Sequence, residues 1–150
     1  KIEYITINAG QRFDAVMPEI PTNSIINKTV TGCGATYAEI NAPRHSVIIE
    51  PMFRIEGKLK KAPADIGVFE GVTTEDIIDF LNTNYNDGYL KIMTTPESFP
   101  KVRSAMVQTH TDMHGEWFML FDECERTIQD AGYRGSITLP MDDFFRCKQK

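Results

Sequence analysis

Two short stretches of this chain carry the residue types that phosphate chemistry requires. The first is Thr31-Gly32-Cys33-Gly34-Ala35-Thr36. Two glycines one residue apart permit a tight backbone on which successive N–H groups turn toward a bound anion. A following helix adds the partial positive charge of its N-terminus, and the hydroxyl of Thr36 is a ligand suited to magnesium. The second stretch is Asp122-Glu123, which follows the apolar run Phe118-Met119-Leu120-Phe121. A carboxylate at Asp122 can hold magnesium, usually with water in the rest of the shell. Its neighbour Glu123 can orient or deprotonate an attacking water.

These residues need elements to hold them. Ser24-Ile25-Ile26-Asn27-Lys28 reads as a short strand feeding the glycine loop, and Tyr37 to Ala42 as the helix after it, stopped by Pro43. Ser46-Val47-Ile48-Ile49-Glu50 is a β-branched strand closed by Pro51; Ile66-Gly67-Val68-Phe69 and Leu90 to Thr95 are further strands. Between them Thr73-Thr74-Glu75-Asp76 opens a helix with a hydroxyl cap and an acidic first turn, and Ile77, Ile78, Phe80 and Leu81 give it an apolar face. Ser98 to Met106 is a second helix, and Trp117 to Phe121 the most apolar strand. Alternating strands and helices predict crossover units and a mostly parallel sheet in a three-layer α/β domain. Continuous apolar strands predict that both faces are covered. Ligands of such sheets bind at the carboxyl ends of the strands, where both polar stretches fall.

Composition sets the limits. At 150 residues, 41% hydrophobic and 25% charged, the chain suits one domain with a real core, residues 1–20 reading as an N-terminal extension. A net charge of −5 supplies no global attraction to nucleic acid, although a local basic face is compatible with it. No run of 18 apolar residues or signal-peptide pattern is present, so no membrane partner is expected. Three widely spaced cysteines, Cys33, Cys124 and Cys147, fit a reducing cytoplasmic setting rather than a disulfide framework. The start at Lys1 and the end at Lys150 suggest a piece of a longer protein.

In this order the motifs resemble the first RecA-like domain of superfamily 2 helicases, the DExD/H-box type, over roughly residues 21–134. Thr31 to Thr36 is similar to their motif I, a P-loop; Val47-Ile48-Ile49-Glu50-Pro51 to motif Ia; Ile92-Met93-Thr94-Thr95-Pro96-Glu97 to motif Ib; and Phe121-Asp122-Glu123-Cys124-Glu125 to motif II, the DExx box. The wording of the chain also resembles helicase-like proteins of bacterial mobile elements. The resemblance implies a RecA-like P-loop NTPase fold that binds ATP and Mg2+, with Glu123 catalytic and Thr36 and Asp122 on the metal. It implies DNA or RNA as partner, contacted by Pro51, Thr94 and Thr95, with Arg54 a further candidate. It also implies a second RecA-like domain elsewhere in a longer chain. Motif III is absent before Lys150.

One position departs from that pattern. Ala35 stands where the family has the lysine that binds the β- and γ-phosphates. Losing a charge-assisted hydrogen bond costs about 1.5–3 kcal/mol, and more at a transition state where charge develops. Either the loop is a degenerate scaffold that does not hydrolyse nucleotide, or another cation serves. Lys28 at the entrance to the loop is the first candidate; Arg44 and Lys91 follow. Gln11 lies upstream, where the family's adenine-reading glutamine is found. His45, His110 and His114 lack a metal-ligand spacing, and Cys33 reads as a small loop residue rather than a nucleophile. Trp117 and Phe118 read as core, and Phe144 and Phe145 as packing residues. A flavodoxin-like signalling domain would need its acids near the first strand instead.

Overall fold

The structure, a computed structural model, describes residues 1–29, 32–50, 64–86, 88–125 and 138–150. Among the described residues ten elements run in the order α1 (Phe13–Val16), α2 (Ala35–Asn41), β1 (Ser46–Ile49), β2 (Asp65–Val68), α3 (Thr74–Asn84), β3 (Lys91–Thr94), α4 (Phe99–Gln108), α5 (Met113–Glu116), β4 (Phe118–Phe121) and α6 (Thr138–Arg146). The four strands form one all-parallel sheet in the order β2-β3-β1-β4. Ser46 lies level with Lys91 and Phe118, and Ile49 with Thr94 and Phe121, so the strands end together.

Helices cover both faces, which gives the three-layer α/β architecture expected from the apolar strands. Because side chains alternate along a strand, Val47 and Ile49 face one way, into a cluster with Ile77, Phe80 and Leu81 of α3 and Phe99, Val102 and Met106 of α4. Ile48 and Met93 face the other way, against Ile40 of α2, and Phe118 packs with Ala35, Ala38 and Phe13. The α3 start is built as its sequence predicts. Thr73 accepts from the Asp76 N–H, and Asp76 accepts from the Thr73 N–H, a reciprocal cap.

Several elements differ from the sequence reading. Residues 24–28 form no strand. The carbonyl of Gln149 accepts from Met119 N–H, and that of Lys150 accepts from Asn23 and Ser24 N–H. Residues 149–150 therefore stand between β4 and the 24–28 segment, which has no strand beside it to pair with among the described residues. Helix α2 starts at Ala35, two residues earlier than predicted, and Trp117 precedes its strand rather than joining it. Phe13 and Ile20 are buried, so residues 13–20 contribute to the layer over α2. Pro51 and Arg54 lie outside the described residues.

At the amino ends of the strands a charged cluster is buried under α2. Glu39 is fully buried and receives Nη2 of Arg44 at 2.5 Å, Nε of Arg44 at 3.0 Å and the Ser46 hydroxyl. Lys91, also buried, donates to the Arg44 carbonyl at 2.7 Å and to Ser46 Oγ at 2.9 Å, with its ammonium 3.7 Å from Glu39. Arg44 lies 3.5 Å over the Phe118 ring. Burial first, and the charge of Arg44 with it, lowers the Lys91 pKa from 10.5 to about 8, against the pull of Glu39.

That displacement fixes a sign. The unfolded chain holds the Lys91 proton up to about pH 10.5 and the folded chain only to about pH 8, so stability rises with pH between those values. The contribution is about 1 kcal/mol from pH 7 to pH 9. Denaturant melts of Lys91→Met are expected to lack this rise. Burial raises the Cys147 pKa to about 11, which acts in the opposite sense above pH 9; it is common to both proteins and cancels in their difference.

Candidate functional site

The carboxyl ends of β1 and β4 bring four side chains together. Glu50 follows β1 and Asp122 follows β4, and these strands are neighbours. The backbone there is held by the sheet itself: Glu50 N–H donates to the Thr94 carbonyl and Asp122 N–H to the Ile49 carbonyl. Thr36, in the first turn of α2, lies across these ends with its Oγ1 at 2.7 Å from Asp122 Oδ2 and 2.8 Å from Glu50 Oε1. Lys28 reaches in from the segment before the loop and places Nζ 2.6 Å from Asp122 Oδ1. Thr36, Glu50 and Asp122 are buried, while the Lys28 side chain is 29% exposed. Desolvation pulls the Lys28 pKa down, but the hydrogen bond and charge of Asp122 outweigh it and hold the ammonium above the ordinary lysine value.

The loop between them has the backbone its glycines suggest. Gly32 and Gly34 both have positive φ, at 74° and 93°, and Cys33 between them does not. A left-handed backbone at these two places is the reason for glycine; there is open space where each Cβ would stand. Alternating handedness turns neighbouring N–H groups toward one side and forms an anion-binding concavity. Among the described residues, the N–H groups of Gly32, Cys33, Gly34 and Ala35 have no acceptor. The Cys33 carbonyl accepts from Phe13 N–H at 2.8 Å, tying the loop to α1. Thr31 lies outside the described residues.

Glu123 is half-buried with φ at 52°, a left-handed conformation rare outside glycine and asparagine. Its N–H donates to Asp122 Oδ1 at 3.1 Å. Strain of this kind costs about 1–3 kcal/mol and concentrates at functional positions.

Thr36, Glu50 and Asp122 offer oxygens of the kind magnesium takes, although among the described residues no three His, Cys, Asp or Glu side chains group to hold a metal. Hydroxyl and carboxylate oxygens are magnesium's preferred ligands, and adjacent oxygens in an octahedral shell with bonds of 2.0–2.1 Å lie about 2.9 Å apart. The Thr36–Asp122 and Thr36–Glu50 separations of 2.7 and 2.8 Å are those of direct hydrogen bonds. Glu50 is the residue that sequence reasoning missed. Its place before Pro51 marked a strand end, and nothing local shows that its side chain turns inward onto Thr36.

Other sequence candidates fall elsewhere. Arg44 and Lys91 belong to the Glu39 cluster at the opposite ends of the strands, about 13 Å along a four-residue strand, so neither reaches the loop. Thr94 and Thr95 are buried; Thr94 Oγ1 donates to the Thr95 carbonyl, and Thr95 Oγ1 accepts from Ser98 N–H ahead of α4. Their hydroxyls are spent within the fold. His45 stacks on Trp117 and Tyr85, and its Nδ1 accepts from Leu90 N–H, which requires that nitrogen to be unprotonated. Burial, with the charge of Lys91, lowers its pKa. His114 sits in α5, not in a loop, and pairs with Asp143 at 2.9 Å. Phe144 packs on Phe121, while Phe145 is exposed.

An open pocket of about 490 Å3 is lined by Gly10, Gln11, Arg12, Asp14, Ala15 and Tyr37. The Arg12 guanidinium stands 4.0 Å over the Tyr37 ring at its wall. Comparison with protein-family models, with curated proteins and with solved structures gives no match. Among the described residues no helix is long and apolar enough to cross a membrane.

Proposed function

We propose that this chain is a RecA-like nucleotide-binding domain of a helicase-like, nucleic acid-dependent ATPase, in which Lys28 supplies the cation that Ala35 does not. The observation that carries this reading is the meeting of Lys28, Thr36 and Asp122: an ammonium at 2.6 Å and a hydroxyl at 2.7 Å on the two oxygens of one carboxylate. A structural ion pair alone does not call for a glycine loop with unused N–H groups next to it. Together they supply what a polyphosphate requires, namely backbone donors, one mobile cation and a hard oxygen set for Mg2+.

On this reading each residue has a role. The N–H groups of Gly32 to Ala35 bind a phosphate. Lys28 would pass from Asp122 to the phosphate oxygens when nucleotide arrives, and Asp122 and Thr36 would be the residues to hold the metal. Bound Mg2+ neutralises phosphate charge. Glu123 would orient the attacking water. The pocket lined by Gln11 and Tyr37 would take the base. The nucleic acid partner and the second RecA-like domain rest on the resemblance alone. A second reading, a non-hydrolysing binding module, is favoured by one observation: Lys28 is held by Asp122 rather than by the loop.

Calorimetric titration with ATP tests the reading. Binding that strengthens when Mg2+ is added is the expected result. Absence of ATP binding with and without Mg2+ would leave the binding-module reading in place.

A further inference from the structure

Three consecutive residues, Lys148, Gln149 and Lys150, each spend a main-chain group on a different part of the fold. Lys148 N–H donates to the His114 carbonyl of α5 at 2.8 Å, the Gln149 carbonyl accepts from Met119 N–H of β4 at 3.0 Å, and the Lys150 carbonyl accepts from both Asn23 and Ser24 N–H. Gln149 also pairs with Phe118 as a parallel bridge. The chain around them is held in place. Asp143 of α6 is buried against Arg103 of α4 and His114, and Lys150 Nζ turns back onto the Phe145 and Cys147 carbonyls at 3.2 and 2.9 Å. On the other side a turn aims two N–H groups at one oxygen. Asn23 has φ at 55°, a left-handed conformation that asparagine tolerates, and Ser24 Oγ donates to the Pro21 carbonyl at 2.7 Å. Beyond Ser24, the N–H groups of Ile25 and Ile26 have no acceptor among the described residues.

From this we infer that residues 148–150 are a positioning element for Lys28: they strap the segment that carries it to β4, the strand that leads into Asp122. Lys28 follows Ser24 by four residues, and Asp122 follows Met119 by three. The two stretches leave the strap over similar lengths, about 13 and about 10 Å for extended chain, and meet in the ion pair at 2.6 Å. Between those ends Ile26 packs against the cluster that holds Phe118, while Ile25 is exposed. Ordering a segment that lacks ladder bonds has an entropic cost. A fixed point four residues away is what keeps the Lys28 ammonium within reach of Asp122. The inference takes from the nucleotide reading only the importance of Lys28; neither the contacts nor the test involves a nucleotide.

The test is acetylation by acetic anhydride, read lysine by lysine by peptide mass spectrometry, on wild type, a chain ending at Lys148, and Lys150→Ala. The last loses the contacts onto α6 but keeps the Lys150 carbonyl. Lys91, which is buried, reports opening of the whole domain, and Lys101, held by the Val72 carbonyl at 2.8 Å, serves as a reference away from the strap. Lys28 is expected to label about three- to fivefold faster in the shortened chain, the gain in free amine that losing a partly exposed ion pair gives, with Lys91 and Lys101 unchanged. Lys150→Ala is expected to label as wild type does. A shortened chain whose Lys28 labels at the wild-type rate overturns the inference. So does a Lys150→Ala protein that labels as fast as the shortened chain, which would place the effect in the side chain. A rise at Lys91 as well means that the shortened chain has unfolded, and amide hydrogen exchange of wild type then decides. Asn23 and Ser24 exchanging more slowly than Ile26 supports the strap, and equal rates overturn it. The expected labelling in a chain that does not bind ATP removes the nucleotide reading and leaves this inference intact.

Discussion

Glu39→Ala is expected to cost about 3–5 kcal/mol of folding stability, the range for removing one partner of a buried ion pair. The side chain is fully buried and accepts from Arg44 and Ser46, with the Lys91 ammonium 3.7 Å away. Without it two cations remain close together under α2, Lys91 almost fully buried and Arg44 12% exposed. A domain of this size is stable by about 5–15 kcal/mol, so the loss takes a large part of the total. The cause can be separated from simple cavity formation. If uncompensated charge dominates, adding Lys91→Met to Glu39→Ala recovers part of the loss, whereas two independent cavities would add. Urea melts of the four proteins at pH 7 give the coupling. A Glu39→Ala protein within about 1 kcal/mol of wild type would contradict the account of the cluster.

The Glu39 cluster also shows where sequence reasoning stops. Nothing local marks its members: Arg44 and Lys91 stand in the sequence only as further candidates for the missing loop cation, and Glu39 is not singled out. They meet because β1 and β3 pair with Ser46 level with Lys91 and because α2 lies over that row. Register over 45 residues of separation has no local signature. The strands themselves were legible, since Val47-Ile48-Ile49 and Phe118 to Phe121 are apolar without alternation, as a sheet covered on both faces demands. The cap at Thr73 was legible for the same reason, being a contact three residues long.

The site was legible in part. Thr36 and Asp122 stand together at the carboxyl edge of the sheet, Asp122 because it follows β4 and Thr36 because it opens α2, although the strand expected before the loop is not formed. Lys28 was named as a candidate from its distance along the chain to Ala35, although the strand thought to carry it is not formed. Ile25 and Ile26 gave that segment its strand-like look. Ile25 is 97% exposed, so the propensity there is not used for pairing. Glu50 was read only as the last residue of a strand, since a carboxylate before a proline gives no sign of turning inward.

Lys28→Ala is the second large effect expected. In the nucleotide-free chain this ammonium sits on Asp122, at 2.6 Å, with its side chain mostly covered. The proposed role has it exchange this carboxylate for phosphate oxygens, so the ion pair is a resting position rather than the purpose of the residue. Removing a charge-assisted hydrogen bond costs about 1.5–3 kcal/mol, or about one to two decades in Kd. A lysine that serves only as a partly exposed structural ion pair would instead be worth about 0–1 kcal/mol of stability and nothing in ligand affinity. Lys28→Arg keeps the charge on a longer head group and is expected to lie between the two.

The most direct measurement of whether Lys28 replaces the missing loop lysine is the Kd for ATP with Mg2+, determined side by side for the wild-type chain and Lys28→Ala, with thermal unfolding to show that both are folded. The site described here predicts measurable wild-type binding and a Kd about 10–100-fold higher in Lys28→Ala. Equal affinity in the two folded proteins would contradict it.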